Sequence, residues 1–315
     1  MRIIGERQFE KVDITRYEVK KLVLIPLILL LASFIILGYT QVSVGSPVRL
    51  GMDFIGGTMV KISTDKSADD LRAEFADLPL VLVAKTGIGN EKRLEFDISS
   101  ESQEYHKLLD RLEMQYSGRY EIKTISAVFG KQYQRQALVA LITAFLLMAI
   151  VVFVVFRIFV PSFAVVLSAF SDITIAIACM DIIGMKLSLG TVAALLMLIG
   201  YSVDSDILLT TNLLRKKGEL FDNIRSAMKT GLMMTSTTIV AIFAMFIVSF
   251  LIDITILKDI SIVLLFGLVM DLMNTWLLNA GILRWYIERR ESKRKRYIKQ
   301  KQKQGKGGKK RAKSS

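Results

Sequence analysis

Four acidic residues lie at least three residues from either end of long apolar stretches of this sequence, where ionisable side chains are rare. They are Asp172, Asp204, Asp206 and Asp271, and no Lys, Arg or His accompanies them in those stretches. An ionisable group near the centre of a bilayer is costly, so a residue of this kind usually has a function. Burial away from water disfavours the ionised form of a carboxyl, which can then take up a proton near neutral pH. We therefore interpret the four acids as candidates for a proton or ion relay.

The spacing of the acids predicts different surroundings for them. Asp172 and Asp271 each lie 11 residues into an apolar stretch. At about 1.5 Å of helix per residue, both are near mid-membrane. Asp204 and Asp206 point about 200° away from each other on a helix, so they cannot face the same partner unless the helix is broken there. We predict that Asp204 carries the ion, with Asp172 as its neighbour across a helix contact and Asp206 as the second candidate.

Each of these polar groups also has a purely structural interpretation. Asp206 lies towards the end of its stretch, where its carboxylate could face lipid headgroups. Asp204 and Asp172 could form a polar pair that serves only helix packing. The hydroxyl cluster Thr235-Ser236-Thr237-Thr238 could extend a relay, or it could pack between helices as small polar residues commonly do.

The apolar stretches have the length of membrane-spanning helices. A helix needs about 20 apolar residues to cross about 30 Å of hydrocarbon. Six stretches come near this length: Leu22–Tyr39, Ala137–Phe156, Pro161–Ile183, Leu187–Leu209, Gly231–Leu251 and Ile260–Leu283. The first is too long for a cleavable signal peptide, and no small-x-small cleavage site follows it before residues 41–43. The sequence predicts a polytopic α-helical membrane protein with six transmembrane helices.

Positive charge is distributed unevenly around these stretches. Residues 1–21, the turn between the second and third stretches, the segment after the fourth and the tail carry 27 Lys and Arg, against 2 in the two opposite loops. Cytoplasmic segments carry this excess, whereas large domains translocate largely regardless of charge. We predict a multi-pass protein of the cell membrane with both termini cytoplasmic. The predicted parts are a cytoplasmic segment 1–21, a helix 22–39, an external domain 40–136, helices two to six over 137–283 and a cytoplasmic tail 284–315.

The tail accounts for all of the formal net charge of +13. Residues 284–315 carry 15 basic and 2 acidic residues and show no apolar periodicity. We expect this segment to be largely disordered beyond its first helical turns. The ordinary interpretation is contact with anionic lipid, worth about 1 kcal/mol per basic residue near the surface. Contact with ribosomal RNA is the alternative.

The segment 40–136 has balanced charge and the patterning of a folded module. Alternating apolar residues predict strands at Thr58–Ser63, Arg93–Ser99 and Arg119–Ser126. The short apolar run Leu80–Ala84 predicts a central strand, and Gly87–Asn90 a turn. Capping signatures at Ser67–Asp70 and Ser100–Gln103 predict two helices. The order β-α-β-β-α-β predicts an external α+β ferredoxin-like domain. Its one histidine, His106, is interpreted as a surface residue.

Composition excludes several classes of function. A single Cys, Cys179, excludes an internal disulfide framework, and one Cys with one His makes a His/Cys metal site implausible. The sequence contains no phosphate-binding loop motif for a nucleotide engine. We expect no cofactor, no metal centre and no enzymatic activity.

Three sequence elements resemble a known family. Gly51-Met-Asp-Phe-Ile-Gly-Gly-Thr58 is similar to the G-I-D-F-x-G-G-T signature of SecF in the SecD/SecF family of protein-export membrane proteins. Ile199-Gly-Tyr-Ser-Val-Asp-Ser-Asp206 is similar to the I-G-Y-S-V element of its fourth span, and Thr235–Thr238 to its Thr/Ser-rich fifth span. The matching signature residues are Gly51, Asp53, Phe54, Gly56, Gly57, Thr58, Gly200, Tyr201 and Ser202. The resemblance covers about residues 20–285, and Phe54 after Asp53 favours SecF over SecD.

The resemblance implies a set of partners. It implies a SecD-type subunit with the same six spans, and a joint transporter of the resistance-nodulation-division class beside the SecY channel. Exported polypeptide would be the cargo and an ion gradient the energy source. Bacterial members have Asn-Asp-Thr where this chain has Asp204-Ser205-Asp206, so the acid is shifted by one position in either direction. Lys229 lies next to the position of an Arg expected early in span five, and Asp271-Leu-Met-Asn274 is typical of an archaeal member.

Two other classes remain open beside a protein-export accessory. One is half of a small-molecule or lipid exporter of the same superfamily, from which the Gly51–Thr58 element distinguishes the chain. The other is a non-transporting membrane anchor that uses the basic tail, from which the intramembrane acids distinguish it.

Overall fold

The computed structural model describes residues 18–86, 89–215 and 219–311, with side chains described as far as Tyr297. The helices are α1 (Val19–Val44), α2 (Met52–Ile55), α3 (Ala68–Glu74), α4 (Gln103–Tyr116), α5 (Ala127–Phe156), α6 (Phe159–Ile182), α7 (Leu189–Arg215), α8 (Leu220–Ile252), α9 (Thr255–Met273) and α10 (Ala280–Arg311). A π-helical segment, Asn274–Asn279, joins α9 to α10. The strands are β1 (Gly57–Ser63), β2 (Leu80–Lys85), β3 (Glu91–Phe96) and β4 (Tyr120–Ile125).

Within the described residues, five helices are long and apolar enough to cross a membrane: α1, α5, α6, α7 and α8. Several extend beyond the predicted apolar stretches. Helix α5 starts ten residues before the predicted Ala137, with the Ser126 hydroxyl accepting from the Phe129 N–H at its N-terminus. The added turns carry Lys, Gln and Arg, which have high helix propensity, so the helix continues out of the membrane zone. The chain is therefore a multi-pass membrane protein.

The predicted sixth stretch, Ile260–Leu283, falls on α9, the π-helical segment and the first turn of α10. Helix α9 is apolar over most of its length but carries Lys258, Asp259 and Asp271. Because of these three charges, α9 is not among the five helices that length and composition identify as able to cross a membrane. It nevertheless packs closely in the bundle, because a Cβ on Gly267 would lie 2.3 Å from a Leu198 methyl carbon.

The basic tail differs from its prediction. Helix α10 continues to Arg311, so the segment expected to be disordered is helical over most of its length, and residues 312–315 lie outside the described part. The physical reason is twofold. The tail has no proline and is rich in Lys, Arg and Gln, which are good helix formers. It also extends a helix that already exists, so it avoids the cost of nucleation.

The inserted module has the predicted element order, β-α-β-β-α-β. Its sheet has the strand order β2-β3-β1-β4, and all three pairings are antiparallel. The two helices cover one face, and the core lies between them and the sheet. The core side chains are Val60, Ile62, Leu71, Phe75, Leu78, Val83, Leu94, Phe96, Ile98, Leu108, Leu112 and Tyr116.

Two local predictions for the module are corrected. The apolar run Leu80–Ala84 is an edge strand and not a central one, because β1 takes the central place and Val81 stays exposed on the outer side. The second helix is capped by Ser102 and not Ser100. The capping box at Ser67 and Asp70 is confirmed, and the side-chain and backbone hydrogen bonds from Ser67 lower the pKa of the Asp70 carboxyl.

The remaining module predictions have simple outcomes. His106 is exposed, as predicted. In the predicted Gly87–Asn90 turn, Gly87 and Ile88 lie outside the described residues, and Gly89 has a φ of 135°.

Candidate functional site

Three of the four intramembrane acids converge inside the helical bundle. Asp172 lies on α6, Asp206 on α7 and Asp271 on α9, and each side chain is almost completely buried. The polar residues around them come from α7 and from the π-helical segment. Together these groups form one continuous hydrogen-bonded set, which we call the acid cluster.

Asp172 is held by one residue from each of two neighbouring segments. The Ser202 hydroxyl donates to its Oδ2 at 2.6 Å, and the Asn274 Nδ2 donates to its Oδ1 at 2.6 Å. Asp172 does contact the fourth predicted span, but through Ser202. The predicted pairing of Asp172 with Asp204 is therefore wrong.

Asp206 and Asp271 share one hydroxyl donor, Thr275. Thr275 Oγ1 lies 2.9 Å from Asp206 Oδ1 and 3.2 Å from Asp271 Oδ1, and Ser205 Oγ lies 3.0 Å from both oxygens of Asp271. Asn279 Nδ2 also donates to Asp206 Oδ1, at 2.8 Å. A hydroxyl has one proton to donate, so Thr275 satisfies one carboxylate at a time. The cluster thus has alternative hydrogen-bond arrangements.

The acid cluster has more acceptors than donors. Among the described residues, no Lys, Arg or His side chain is buried. In the same set, three oxygens of the cluster are buried without a hydrogen-bond partner: Asp206 Oδ2, Asn274 Oδ1 and Asn279 Oδ1. Buried polar atoms and like charges both cost free energy unless something compensates them. A proton or a small cation would supply the missing positive partner.

The π-helical segment explains how Asn274, Thr275 and Asn279 reach one site. A π-helix closes its hydrogen bonds between residues five apart, which brings residues 274 and 279 onto one side. These three residues and Ser205 were not among the predicted site residues. The available signal was two Asn and a Thr among the six residues 274–279, inside the same apolar stretch as Asp271, where polar side chains are unusual.

The other predicted coupling residues lie elsewhere. Asp204 and Lys229 are exposed on the outside of the bundle. Thr235 is buried, whereas Thr237 and Thr238 donate to the Met234 carbonyl of their own helix. In the part of the chain that the structure describes, none of these threonines bonds to the acid cluster.

The interpretation of Asp206 as an acid facing lipid headgroups is also wrong. Asp206 does not face headgroups, because it is fully buried, and α7 runs without a break past Gly200. The prediction that Asp204 and Asp206 point in opposite directions is confirmed.

The signature residues Gly51–Thr58 lie at the junction of the module with the bundle. Gly56 and Gly57 have φ values of 94° and 127°, and a Cβ on Gly56 would lie 2.9 Å from the Ala127 backbone at the start of α5. Phe54 is buried, and the Thr58 hydroxyl donates to the Ile98 carbonyl at 2.9 Å. The glycines are needed here for a backbone conformation and a close approach that a side chain would prevent.

The same element contacts the bundle directly. The Gly51 N–H donates to the Leu187 carbonyl at 2.7 Å, and the Leu187 N–H donates to the Arg49 carbonyl at 2.7 Å. Asp53 Oδ2 accepts from the Leu189 N–H at 3.1 Å. The signature therefore joins the module to the first residue of α7, the helix that carries Ser202, Ser205 and Asp206.

Comparison with known proteins gives a consistent result. Residues 105–289 match the family of the SecD/SecF protein-export membrane protein C-terminal domain, and residues 42–68 match the SecD/SecF GG motif. The chain is 49% identical to the protein-export membrane protein SecF of Methanolacinia petrolearia over 88% of this chain and 97% of that protein. It is 44% identical to SecF of Haloferax volcanii, over 88% and 95% of the two chains.

A solved structure has a similar fold. SecDF of Thermus thermophilus, described as a translocon-associated membrane protein, superposes with a TM-score of 0.65 at 20% identity. The match covers 85% of this chain and 38% of the SecDF chain, so this chain spans well under half of that protein. Two SecF proteins that match over nearly their whole length, together with the family's C-terminal domain and GG motif, establish the relationship. The chain belongs to the SecF family of protein-export membrane proteins.

Proposed function

We propose that this chain couples an ion gradient across the cell membrane to protein export through Asp172, Asp206 and Asp271. The observation that carries the proposal is the acid cluster itself: three buried carboxyls, unpaired acceptor oxygens and no buried base among the described residues. Asp204, the acid first favoured by the sequence, is assigned instead to the partner-facing surface. The test is gradient-driven export by variants in which single acids are replaced by Asn.

The cluster suggests how an ion would move the helices. With the site empty, the neighbouring carboxylates of Asp206 and Asp271 repel each other and compete for the Thr275 hydroxyl. Uptake of a proton or a sodium ion removes this repulsion and frees a hydroxyl to change partner. Because the acids lie on α6, α7 and α9, each exchange alters the packing of three helices. Loading from one side and release to the other would complete a transport cycle.

We further propose the finer architecture that the sequence predicts. Helix α9, the π-helical segment and the start of α10 form a sixth span, since they pack inside the bundle and contribute Asp271 to it. The strand order β2-β3-β1-β4 with two helices on one face supports a ferredoxin-like class for the module. The basic helix α10 would lie on the cytoplasmic side, near anionic lipid.

The proposed orientation predicts that the module and helix α10 are labelled from opposite sides of the membrane. In a Cys179→Ser background, a cysteine at the exposed position Lys107 of α4 should react with an impermeant thiol reagent in intact cells. A cysteine at the exposed position Ser292 of α10 should react only after permeabilisation. The 27-to-2 charge asymmetry is the physical reason. The reverse labelling pattern would show that the protein is inserted the other way round.

A SecD-type partner is proposed from one exposed face of α7. Met197, Gly200, Tyr201 and Asp204 share this face at helical spacing, and a Cβ on Gly200 would meet open space. A carboxylate in contact with lipid is costly, so Asp204 requires cover from polar groups of another protein. A small residue beside it allows another helix to approach closely. SecY and exported polypeptide are further partners that family membership suggests.

A tryptophan at position 200 should disrupt this partnership. Gly200→Trp should reduce co-purification with SecD from mild detergent extracts, because the indole fills the proposed helix contact. Gly38→Trp is the matched control, since Gly38 on α1 is also exposed with open space around it. Equal recovery of SecD with both variants would place the partner on another surface.

A further inference from the structure

We propose that Asp53 is the positioning residue through which movement of α7 is transmitted to the external module. The inference rests on the proposed function, in which the acid cluster moves α7, and names the contact that carries this movement outward. Asp53 lies on the short helix α2, between the first long helix and β1. It belongs to the module by chain connection and to the bundle by its hydrogen bond.

The Asp53 carboxylate bonds the two parts at once. Its Oδ2 accepts from the backbone N–H of Leu189, the first residue of α7, at 3.1 Å. Its Oδ1 lies 3.4 Å from the Lys123 ammonium on β4. The first N–H groups of a helix have no partner within the helix, and a negative charge is favourable at this end. Asp53 therefore acts as an N-terminal cap for α7 that is supplied by a distant part of the chain.

A backbone contact fixes the same two segments beside Asp53. Leu50 and Leu187 form a parallel β-bridge, closed by the hydrogen bonds of Gly51 and Arg49 with Leu187. A Cβ on Gly51 would lie 2.7 Å from the Leu187 carbonyl oxygen, so only glycine permits this approach. The Arg49 N–H also bonds to Asp181 at the end of α6. The junction is therefore bonded to the external ends of α6 and α7 and should move with them. These are the helices that carry Asp172 and Asp206.

Helix α7 can transmit a displacement over the required distance. It is continuous from Leu189 to Arg215, and Asp206 lies 17 residues from its start. At about 1.5 Å per residue the two points are about 25 Å apart along one rigid helix. A shift or rotation of α7 at the acid cluster therefore moves the Leu189 N–H, and the bonded Asp53 moves with it.

Helix α2 also contacts α5, the helix that follows the module in the chain. Gln134 of α5 donates to the Phe54 carbonyl at 2.7 Å, and a Cβ on Gly130 would lie 2.6 Å from the same oxygen. Helix α2 thus has tight contacts with both α5 and α7. This arrangement makes α2 the segment through which a relative movement of these two helices tilts the module.

The test is a distance measurement between spin labels on the module and on the bundle. Labels are placed at Lys107 of α4 and Leu251 of α8, both exposed, in the Cys179→Ser chain with its partner subunit. We expect the distance to shift by a few ångströms between the otherwise unaltered chain and Asp206→Asn. Asp53→Ala should broaden the distribution and abolish that shift. Asp53→Asn, which keeps an acceptor oxygen for the Leu189 N–H, should restore most of it.

Two further variants distinguish a mechanical connection between the module and α7 from a general loss of stability. Gly51→Ala should broaden the distribution as well, because its Cβ pushes Leu187 away without changing Asp53. Asp69→Ala is the matched control: Asp69 is an exposed acid of the module that pairs only locally, with Arg72 at 2.8 Å, so the distance and its shift should stay unchanged.

The outcomes distinguish this inference from the proposed function. A shift that persists in Asp53→Ala would overturn the role of Asp53 and leave coupling through the acid cluster intact. A distance that does not respond to Asp206→Asn in the otherwise unaltered chain would overturn both. Hydrogen exchange of the Leu189 amide gives a second measurement, and we expect it to accelerate in Asp53→Ala and not in Asp69→Ala.

Discussion

Replacing Asp206 with Asn should remove the gradient-dependent part of protein export while the chain still inserts and assembles. Asn is nearly isosteric with Asp and can keep the contacts with Thr275 and Asn279. It cannot take up or release a proton, and it offers a cation no negative charge. Among the described residues, Asp206 holds the one carboxylate oxygen of the acid cluster without a hydrogen-bond partner, so its loss should affect the cluster strongly. We expect export by this variant to equal that of the unaltered protein after the gradient is collapsed.

The measurement is export into membrane vesicles with and without a proton uncoupler or a sodium ionophore. The two reagents distinguish a proton from a sodium ion as the coupled species. Asp204→Asn is the matched control, since Asp204 lies two residues away on the same helix but outside the cluster, and Asn keeps a polar side chain for the proposed partner contact. It should keep its sensitivity to the gradient. If Asp204→Asn loses that sensitivity and Asp206→Asn retains it, the assignment to the buried cluster is wrong.

Replacing Gly56 with Ala should destabilise the junction of the module with α5. Gly56 combines φ 94° with ψ 179°, a region of backbone conformation open essentially only to glycine. The added Cβ would also lie 2.9 Å from the Ala127 backbone, which cannot move aside as a flexible side chain could. We expect the free energy of unfolding to fall by about 3 kcal/mol or more, because the backbone strain and the displacement of α5 both contribute.

Thermal unfolding in detergent and protease access to the module are the measurements. Gly118→Ala provides the control, because Gly118 also has a positive φ, 68°, but no atom lies within 4 Å of its Cβ position. Gly118→Ala should lower the free energy of unfolding by about 1 kcal/mol, the cost of placing a residue with a Cβ in the left-handed backbone conformation. Similar losses for the two variants would show that backbone strain, and not the close contact with α5, explains the requirement for Gly56.

Local patterns in the sequence predict much of the structure. Alternation of apolar residues locates three strands, and a short apolar run the fourth, to within a few residues; the Ser67–Asp70 signature forms the predicted capping box. Both features depend on neighbours in sequence, so the sequence is sufficient to find them. The apolar stretches likewise locate the long helices, although polar turns that extend α1 and α5 carry no apolar signal.

Sheet order depends on contacts between distant residues, and here the sequence is insufficient. An apolar run such as Leu80–Ala84 predicts a strand with little polar surface. Its place at the edge follows from β1, which pairs with both β3 and β4 and occupies the centre. No local pattern in β2 reports which strands take the inner positions.

For the candidate site, the sequence by itself determines that acids are placed in the membrane and that Asp204 and Asp206 face opposite ways. Helical geometry fixes that angle. Which of the two faces the interior depends on the rotation of α7 within the bundle, and this is set by its packing against α6 and α9. The π-helical turn that brings Asn274, Thr275 and Asn279 to the acids is likewise decided by tertiary contacts, because its residues would also fit an ordinary α-helix. The sequence therefore determines the chemistry available to this protein, and only the packing of its helices decides which groups meet.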